Sequence, residues 1–320
     1  MYSMEKDAIK RWIEDVATDN VASQHTSAGH TTYCAHETSG RPRQRPSSPN
    51  RIKSNLALGT PKIKYLHESA DPGSNSARQL LAFLSVDNND GWEPETQEID
   101  NISVASCKCA TQLRSEGSWV IGVVRPLLQC AIGTLPLECW SVQTESVDSK
   151  YQPRYTVHDA YSRKVDLVIG FPTDQWSTEY ERMTSRYPDR CFSHIAHPRT
   201  RARFLGSSFE VKASDGNLIE AQVQLGVWMA GLMTWAWDHG CGDALPPPAV
   251  GCISIGEHWE FYIIYSVKIA GSDRLEVHIW GPFGRAGSHK ATTKLAKQLQ
   301  RVMEYTRSQY LPQLLRAISS

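Results

Sequence analysis

Glu210 and Lys212 stand two positions apart in a stretch where polar and apolar residues alternate. The apolar partners in this pattern are Phe209, Val211 and Ala213. Because successive side chains of a β-strand point to opposite faces, the alternation predicts a strand that presents Glu210 and Lys212 side by side. A carboxylate next to an amine on one strand face is an arrangement typical of catalytic sites, and such a site needs a second acid.

The second acid lies upstream, in the stretch RKVDLVIGF at 163–171. Val165, Leu167 and Ile169 recur at every second position, which predicts a strand with an apolar core face. Asp166 projects from the other face of that strand. The sequence therefore offers Asp166 as the partner of Glu210.

A buried helix is predicted to follow the Glu210 strand. Asn217 can cap its first turn, and the helix is apolar almost all round as far as Trp237. Two polar side chains, Glu220 and Gln224, sit one turn apart in it. A strand next to such a helix should be central in its sheet, with its polar pair partly buried.

In this order, Asp166, the Glu210-Val211-Lys212 triplet and a helix with the AxxQL pattern resemble the PD-(D/E)XK nuclease-like superfamily. The fungal nuclease-like proteins of this group are similar in several further short pieces: EGSWVIGVVRPLL, KVDLVIGF, GEHWEFYI and HIWGPFG. The resemblance spans roughly residue 78 to the C-terminus. It implies an α/β (α+β) fold of the restriction-endonuclease type, with a central mixed sheet flanked by helices.

The predicted domain covers residues 78–320. Residues 1–77 are expected to form a short N-terminal helix and a flexible low-complexity segment, because Ser, Thr, Pro, Asn, Gly and His dominate from Asn20 to Ala77.

The resemblance also implies the composition of the site. Asp166 and Glu210 are expected to converge and, with the main-chain carbonyl of Val211, to bind Mg²⁺ or Mn²⁺ through hard oxygen ligands. Lys212 is expected to position the attacking water or to neutralise the phosphate.

Two more residues correspond to family positions. Gln224 is expected to orient the water or Lys212, as a helix glutamine does in some members. Glu116 occupies the place of an extra acid on the first helix. An ordinary acid that complements the helix dipole is an equally weighted interpretation of Glu116.

A stretch at 172–203 carries six arginines with tyrosines between them. Guanidinium groups match phosphate oxygens, so Arg199, Arg201 and Arg203 are expected to bind substrate. A solvated loop of mixed charge is the alternative, because acids lie in the same stretch, among them Glu179, Glu181 and Asp189.

The function favoured by these patterns is metal-dependent phosphodiester hydrolysis of nucleic acid, with DNA preferred over RNA. The charges balance at 34 basic against 34 acidic residues, so a local groove rather than a global basic field must recruit the substrate. The first alternative is a binding module with a lapsed nuclease centre. The second is an enzyme of fungal specialised metabolism with a small-molecule pocket lined by aromatic residues, namely Trp228, Trp235, Trp237, Trp259, Tyr262, Trp280 and Phe283.

The expected location is intracellular, in the nucleus or cytoplasm. The N-terminal residues lack the apolar core of a signal peptide, and the longest apolar run, Leu225–Trp237, is too short to span a membrane. Two groups contain residue types that bind metals but lack the spacing of a finger-like site, so they are expected to be incidental: the cluster His30, Cys34 and His36, and the pair His194 and His197.

Overall fold

A mixed β-sheet forms the centre of the computed structural model, which describes residues 48–85, 91–156, 161–240, 244–269, 275–286 and 292–319 (backbone alone for 282–286). Within these ranges the sheet has seven strands: β1 (Lys62–Leu66), β2 (Glu138–Ser141), β3 (Leu167–Gly170), β4 (Leu205–Lys212), β5 (Ala249–Ile255), β6 (His258–Lys268) and β7 (Leu275–Ala286). Their order across the sheet is β1-β7-β6-β5-β4-β3-β2. The β1–β7 and β4–β5 pairs are parallel, and the other neighbours are antiparallel.

Helices flank this sheet, so the predicted fold class is confirmed. Among the described residues they are α1 (Pro49–Leu58), α2 (Asn75–Ser85), α3 (Thr96–Thr111), α4 (116–132), α5 (Ser177–Arg186), α6 (Pro198–Arg201), α7 (Leu218–Asp238) and α8 (292–319). Both α4 and α8 contain a π-helical turn, at Val120–Val124 and at Thr306–Tyr310. None of the described helices is both long and apolar enough to cross a membrane.

β4 is an interior strand, and all eight of its residues are buried. Its neighbours are β3 and β5, with Glu210 paired to Ile253 on β5. Helix α7 packs against one face, where the Trp228 indole donates a hydrogen bond to Ser208 Oγ at 3.1 Å. The central position predicted from the apolar helix sequence is therefore confirmed.

Helix α7 begins where the sequence predicts. The Asn217 side chain accepts a hydrogen bond from the Glu220 amide at 3.0 Å and so caps the first turn. The helix then buries most of its apolar residues against the sheet as far as Ala236. It covers the face of β4 from which Glu210 projects.

Helix α4 brings Glu116, at its first position, toward the end of β4. A kink is predicted at Pro126, which lacks an amide hydrogen and crowds the preceding turn. The helix continues through this position, and the wide π-helical turn at Val120–Val124 lies immediately before it.

The prediction of an irregular segment from Asn20 to Ala77 is wrong for its described part. Helix α1 is capped by Ser48, and β1 pairs with β7 along its whole length. Ile52, Leu56 and Ile63 are buried in the core. Residues Ser47–Ser320 form one compact unit, so we propose that the domain begins near residue 48 and not at 78.

Several predictions concern residues outside the described ranges. These are the N-terminal helix, the segment up to residue 47, and the cluster His30, Cys34 and His36. The sequence also predicts a strand at 155–160. Its first two positions form bends instead, and its last four positions lie outside the described ranges.

Two leucines of α1 test its role in the core. Leu56 is fully buried and Leu58 is 69% exposed. Leu56→Ala should lower the free energy of unfolding by about 2–5 kcal/mol, because it leaves a cavity. The control Leu58→Ala should change it by no more than about 0.5 kcal/mol. Urea denaturation measures both, and equal effects would contradict the packing of α1.

Candidate active site

Asp166 lies directly before β3, and its carboxylate accepts a hydrogen bond from the main chain of β4. Its Oδ2 accepts a hydrogen bond from the Val211 amide at 2.7 Å, and its Oδ1 accepts one from Gln143 Nε2 at 2.6 Å. Val211 is the residue between Glu210 and Lys212. The Asp166 carboxylate is thus brought to the Glu-x-Lys triplet.

Lys212 contacts two carboxylates. Its Nζ lies 2.7 Å from Glu210 Oε1 and 3.2 Å from Glu116 Oε2. Glu210 is 1% exposed, whereas the Glu116 side chain is 42% exposed at the site's outer side. Apart from the Lys212 ammonium, no hydrogen-bond donor of the described residues reaches either Glu210 oxygen.

Burial dominates the electrostatics of the two buried acids. It raises the pKa of Glu210 well above its ordinary value, and the nearby Asp166 charge raises that pKa further. The pKa of Asp166 is also raised by burial, although the hydrogen bonds from Gln143 and Val211 counteract part of the effect. An additional positive charge nearby would therefore stabilise the ionised form of each acid.

The environment of Lys212 favours its charged form, in contrast to the two buried acids. Burial by itself lowers the pKa of the ammonium, but the charges of Glu210 and Glu116 outweigh burial and raise it above its ordinary value. Lys212 is consequently a cation throughout the neutral range.

The oxygen atoms at this point suit a hard divalent cation. In the described ranges no group of three or more His, Cys, Asp or Glu side chains forms a metal site. A cation here would depend on Asp166, Glu210 and a main-chain oxygen. The Val211 amide points to Asp166, and in a strand the carbonyl of the same residue points to the same edge. Because no donor of the described residues other than the Lys212 ammonium reaches the Glu210 oxygens, this donor set fits Mg²⁺ or Mn²⁺.

Two glutamines flank Asp166. Gln143, which the sequence analysis did not single out, binds its carboxylate directly. Gln224 donates to the Lys164 carbonyl at 3.5 Å, two positions before Asp166, and its Oε1 is buried without a donor among the described residues. Its hydrogen bond therefore supports the Asp166 segment and does not contact Lys212.

In a comparison with protein-family models, the model described as the PD-(D/E)XK nuclease superfamily matches residues 66–311. The chain belongs to the PD-(D/E)XK nuclease superfamily. A search of curated proteins found no match. The match begins within β1, so helix α1 precedes the part of the chain that the superfamily model covers.

The arginines predicted to bind substrate are not near the superfamily motif. Arg203 precedes the first residue of β4 by two positions, and at about 3.3 Å per residue that first residue, Leu205, lies ~17 Å along the strand from Glu210. Arg199 lines a surface pocket together with Arg203 at that far end. Arg201 has its guanidinium 3.8 Å from Asp189.

The two histidines, His194 and His197, lie in different environments. His194 is fully buried, packs edge-on against Trp228, and has no partner among the described residues for either ring nitrogen. Burial lowers its pKa to about 3, so the ring is neutral. His197 lies instead at the surface, where its Nδ1 is 3.8 Å from Glu145.

The aromatic residues considered for a small-molecule pocket mostly pack in the core. Trp228, Trp235, Trp259, Tyr262 and Trp280 are each at most 4% exposed. Indole groups within this set donate to protein oxygens, as Trp235 does to the Cys191 carbonyl. The side chain of Phe283 lies outside the described part of the chain.

Glu210 should make stability depend on pH. Its raised pKa means that folding favours the protonated acid, so this stabilisation is present below about pH 4.5 and is lost as the pH rises. In EDTA, Glu210→Gln should therefore gain stability relative to wild type as the pH increases from 4 to 8. The gain should grow steadily over this pH range, because the buried carboxylate of the wild type becomes increasingly costly as it ionises.

Chemical denaturation at both pH values measures the gain. The control is Glu68→Gln, at an exposed position outside the site, which should follow wild type. A Glu210→Gln profile parallel to wild type would contradict the burial argument.

Proposed function

We propose that this chain is a metal-dependent phosphodiesterase that cleaves nucleic acid, with DNA preferred over RNA. The observation that carries the proposal is the enclosed Glu210 carboxylate, whose oxygens lack hydrogen-bond donors apart from the Lys212 contact. The acid–acid-x-Lys order and the superfamily match support the same reaction class.

Asp166, Glu210 and the Val211 carbonyl are the proposed ligands of Mg²⁺ or Mn²⁺. When bound, such an ion polarises the scissile phosphate and acidifies a coordinated water. The Asp166 carboxylate is already oriented by the Gln143 and Val211 donors, so little rearrangement is needed on binding.

Lys212 is proposed to stabilise negative charge on the phosphate. The sequence left open whether it positions water or neutralises charge. The raised pKa favours the second role, because a lysine that stays protonated cannot remove a proton from water. In the cleavage step the water oxygen forms a new bond to phosphorus and releases a proton to solvent. The bond to the leaving sugar oxygen breaks and that oxygen takes up a proton from solvent, while Lys212 compensates the negative charge that develops on the phosphate.

Glu116 and Gln224 are assigned supporting roles. Glu116 lies 3.2 Å from the Lys212 ammonium, and so it can hold that group at the outer side of the site. Gln224 has one amide oxygen that no described donor reaches, which leaves it able to orient a water molecule. Neither residue needs to contact the metal in this assignment.

The test is cleavage of single-stranded, duplex and branched DNA and of RNA, with Mg²⁺ or Mn²⁺. Asp166→Asn and Lys212→Ala should each lower kcat/KM by at least about 100-fold, because each removes charge that acts on the reacting phosphate. Gln224→Ala should cause a smaller loss, since it removes only an orienting group.

The controls are Asp100→Asn and Lys108→Ala, two exposed charges on α3, and they should leave cleavage unchanged. Melting temperatures verify that all variants fold. If wild-type protein cuts no nucleic acid with either metal, while a small apolar molecule raises its melting temperature, the metabolic alternative replaces this proposal.

A further inference from the structure

Two adjoining surface pockets lie at the end of β4 that is remote from Glu210. The larger has a volume of about 790 Å³, the smaller of about 490 Å³, and they share Thr173, Arg199 and Arg203. Arg190 adds a third guanidinium to the larger one. We call the larger pocket, with Arg190, Arg199 and Arg203, the arginine pocket.

The charges of the arginine pocket favour a small anion. Within the described part of the chain, no carboxylate lies within ion-pair distance of these three arginines, in contrast to Arg201 with Asp189 at 3.8 Å. Forked guanidinium donors match the oxygens of a phosphate. Acids are present in the same walls, Glu181 in the larger pocket and Glu138 with Asp174 in the smaller. These carboxylates would repel an anion large enough to extend through both pockets, so a single phosphate fits better than a polyphosphate.

The wall of the arginine pocket is fixed before any ligand binds. The Tyr180 hydroxyl donates to the Phe171 carbonyl at 2.7 Å and accepts from the Phe204 amide at 2.9 Å. Its ring stacks on Phe204 with centroids 4.7 Å apart. Helix α6 is held as well, because the amides of Phe192 and Ser193 donate to the Arg201 carbonyl. A preformed wall lowers the entropy lost on binding.

We infer that the arginine pocket binds one backbone phosphate of the nucleic acid strand that is cleaved at Glu210, and this rests on the proposed function. The five residue steps of β4 from Leu205 to Glu210 span ~17 Å, which corresponds to about five nucleotides of a stacked strand at 3.4 Å per nucleotide and to fewer nucleotides of an extended strand. A strand shorter than this span reaches the acids but not the pocket. The pocket thus adds affinity only for longer substrates.

The experiment measures binding of 2-, 8-, 12- and 20-nucleotide single strands in Ca²⁺ at several salt concentrations. The double variant Arg199→Ala/Arg203→Ala should bind the 20-mer about tenfold more weakly and the dinucleotide as wild type does. Its plot of log K against log salt for the 20-mer should be shallower by about 0.7, the value for one lost phosphate contact on a single strand.

The control double variant Arg125→Ala/Arg182→Ala removes the same net charge from exposed positions outside the pocket and should keep wild-type length dependence. Equal losses in both double variants, or equal losses for the dinucleotide and the 20-mer, would overturn the inference.

Inorganic phosphate separates this inference from the proposed function. NMR signals of the Arg199 and Arg203 side chains should shift on phosphate addition whether or not the protein cuts nucleic acid. Shifts without any nucleic-acid binding would show an anion site and refute its nucleic-acid role. Absence of shifts would overturn the site itself.

Discussion

Burial of the Glu210 carboxylate is the constraint on which the rest of the site depends. A buried carboxylate without compensation is costly, because it gives up its hydration. Lys212 supplies one positive charge, but Asp166 brings a second buried acid to the same point. The described residues thus place two buried acids around one buried ammonium, with Glu116 at the exposed side. An arrangement of this kind is stabilised by a further cation.

The fold creates this constraint by enclosing β4 completely. Its neighbours in the sheet pair along it on both sides, and α7 covers the face of Glu210. The hydrogen bond from the Val211 amide to Asp166 joins the two acid-bearing segments directly. Helix α4 then brings Glu116 to the exposed outer side of the site. Strand β4 contributes Glu210 and Lys212, the segment before β3 contributes Asp166, and the sheet order determines that they meet.

The central part of this arrangement was predictable from the sequence because it is encoded locally. A two-residue period gives the strand of Glu210 and Lys212, and an apolar helix with an Asn217 cap gives its cover. Helix α1 and strand β1 were missed, since β1 pairs with a strand more than two hundred residues later and its own surroundings are rich in Ser and Pro. Nonlocal pairing leaves little trace in local composition.

The position of the arginine-bearing stretch at 172–203 could not be predicted either, because it also depends on nonlocal contacts. Its residues suggest phosphate contacts, but only the start of β4 determines that Arg203 lies at the remote end. Gln143 is a single polar residue that follows a short edge strand, and nothing in its spacing indicates the contact with Asp166.

The most direct test of the account is a crystal structure of the wild-type protein soaked in Mn²⁺, with the ion located by its anomalous scattering. The account predicts a peak bound by Asp166, Glu210 and the Val211 carbonyl, with the Lys212 ammonium displaced from Glu210. A crystal at saturating Mn²⁺ with no peak at these oxygens, and with Lys212 still paired to Glu210, would contradict it.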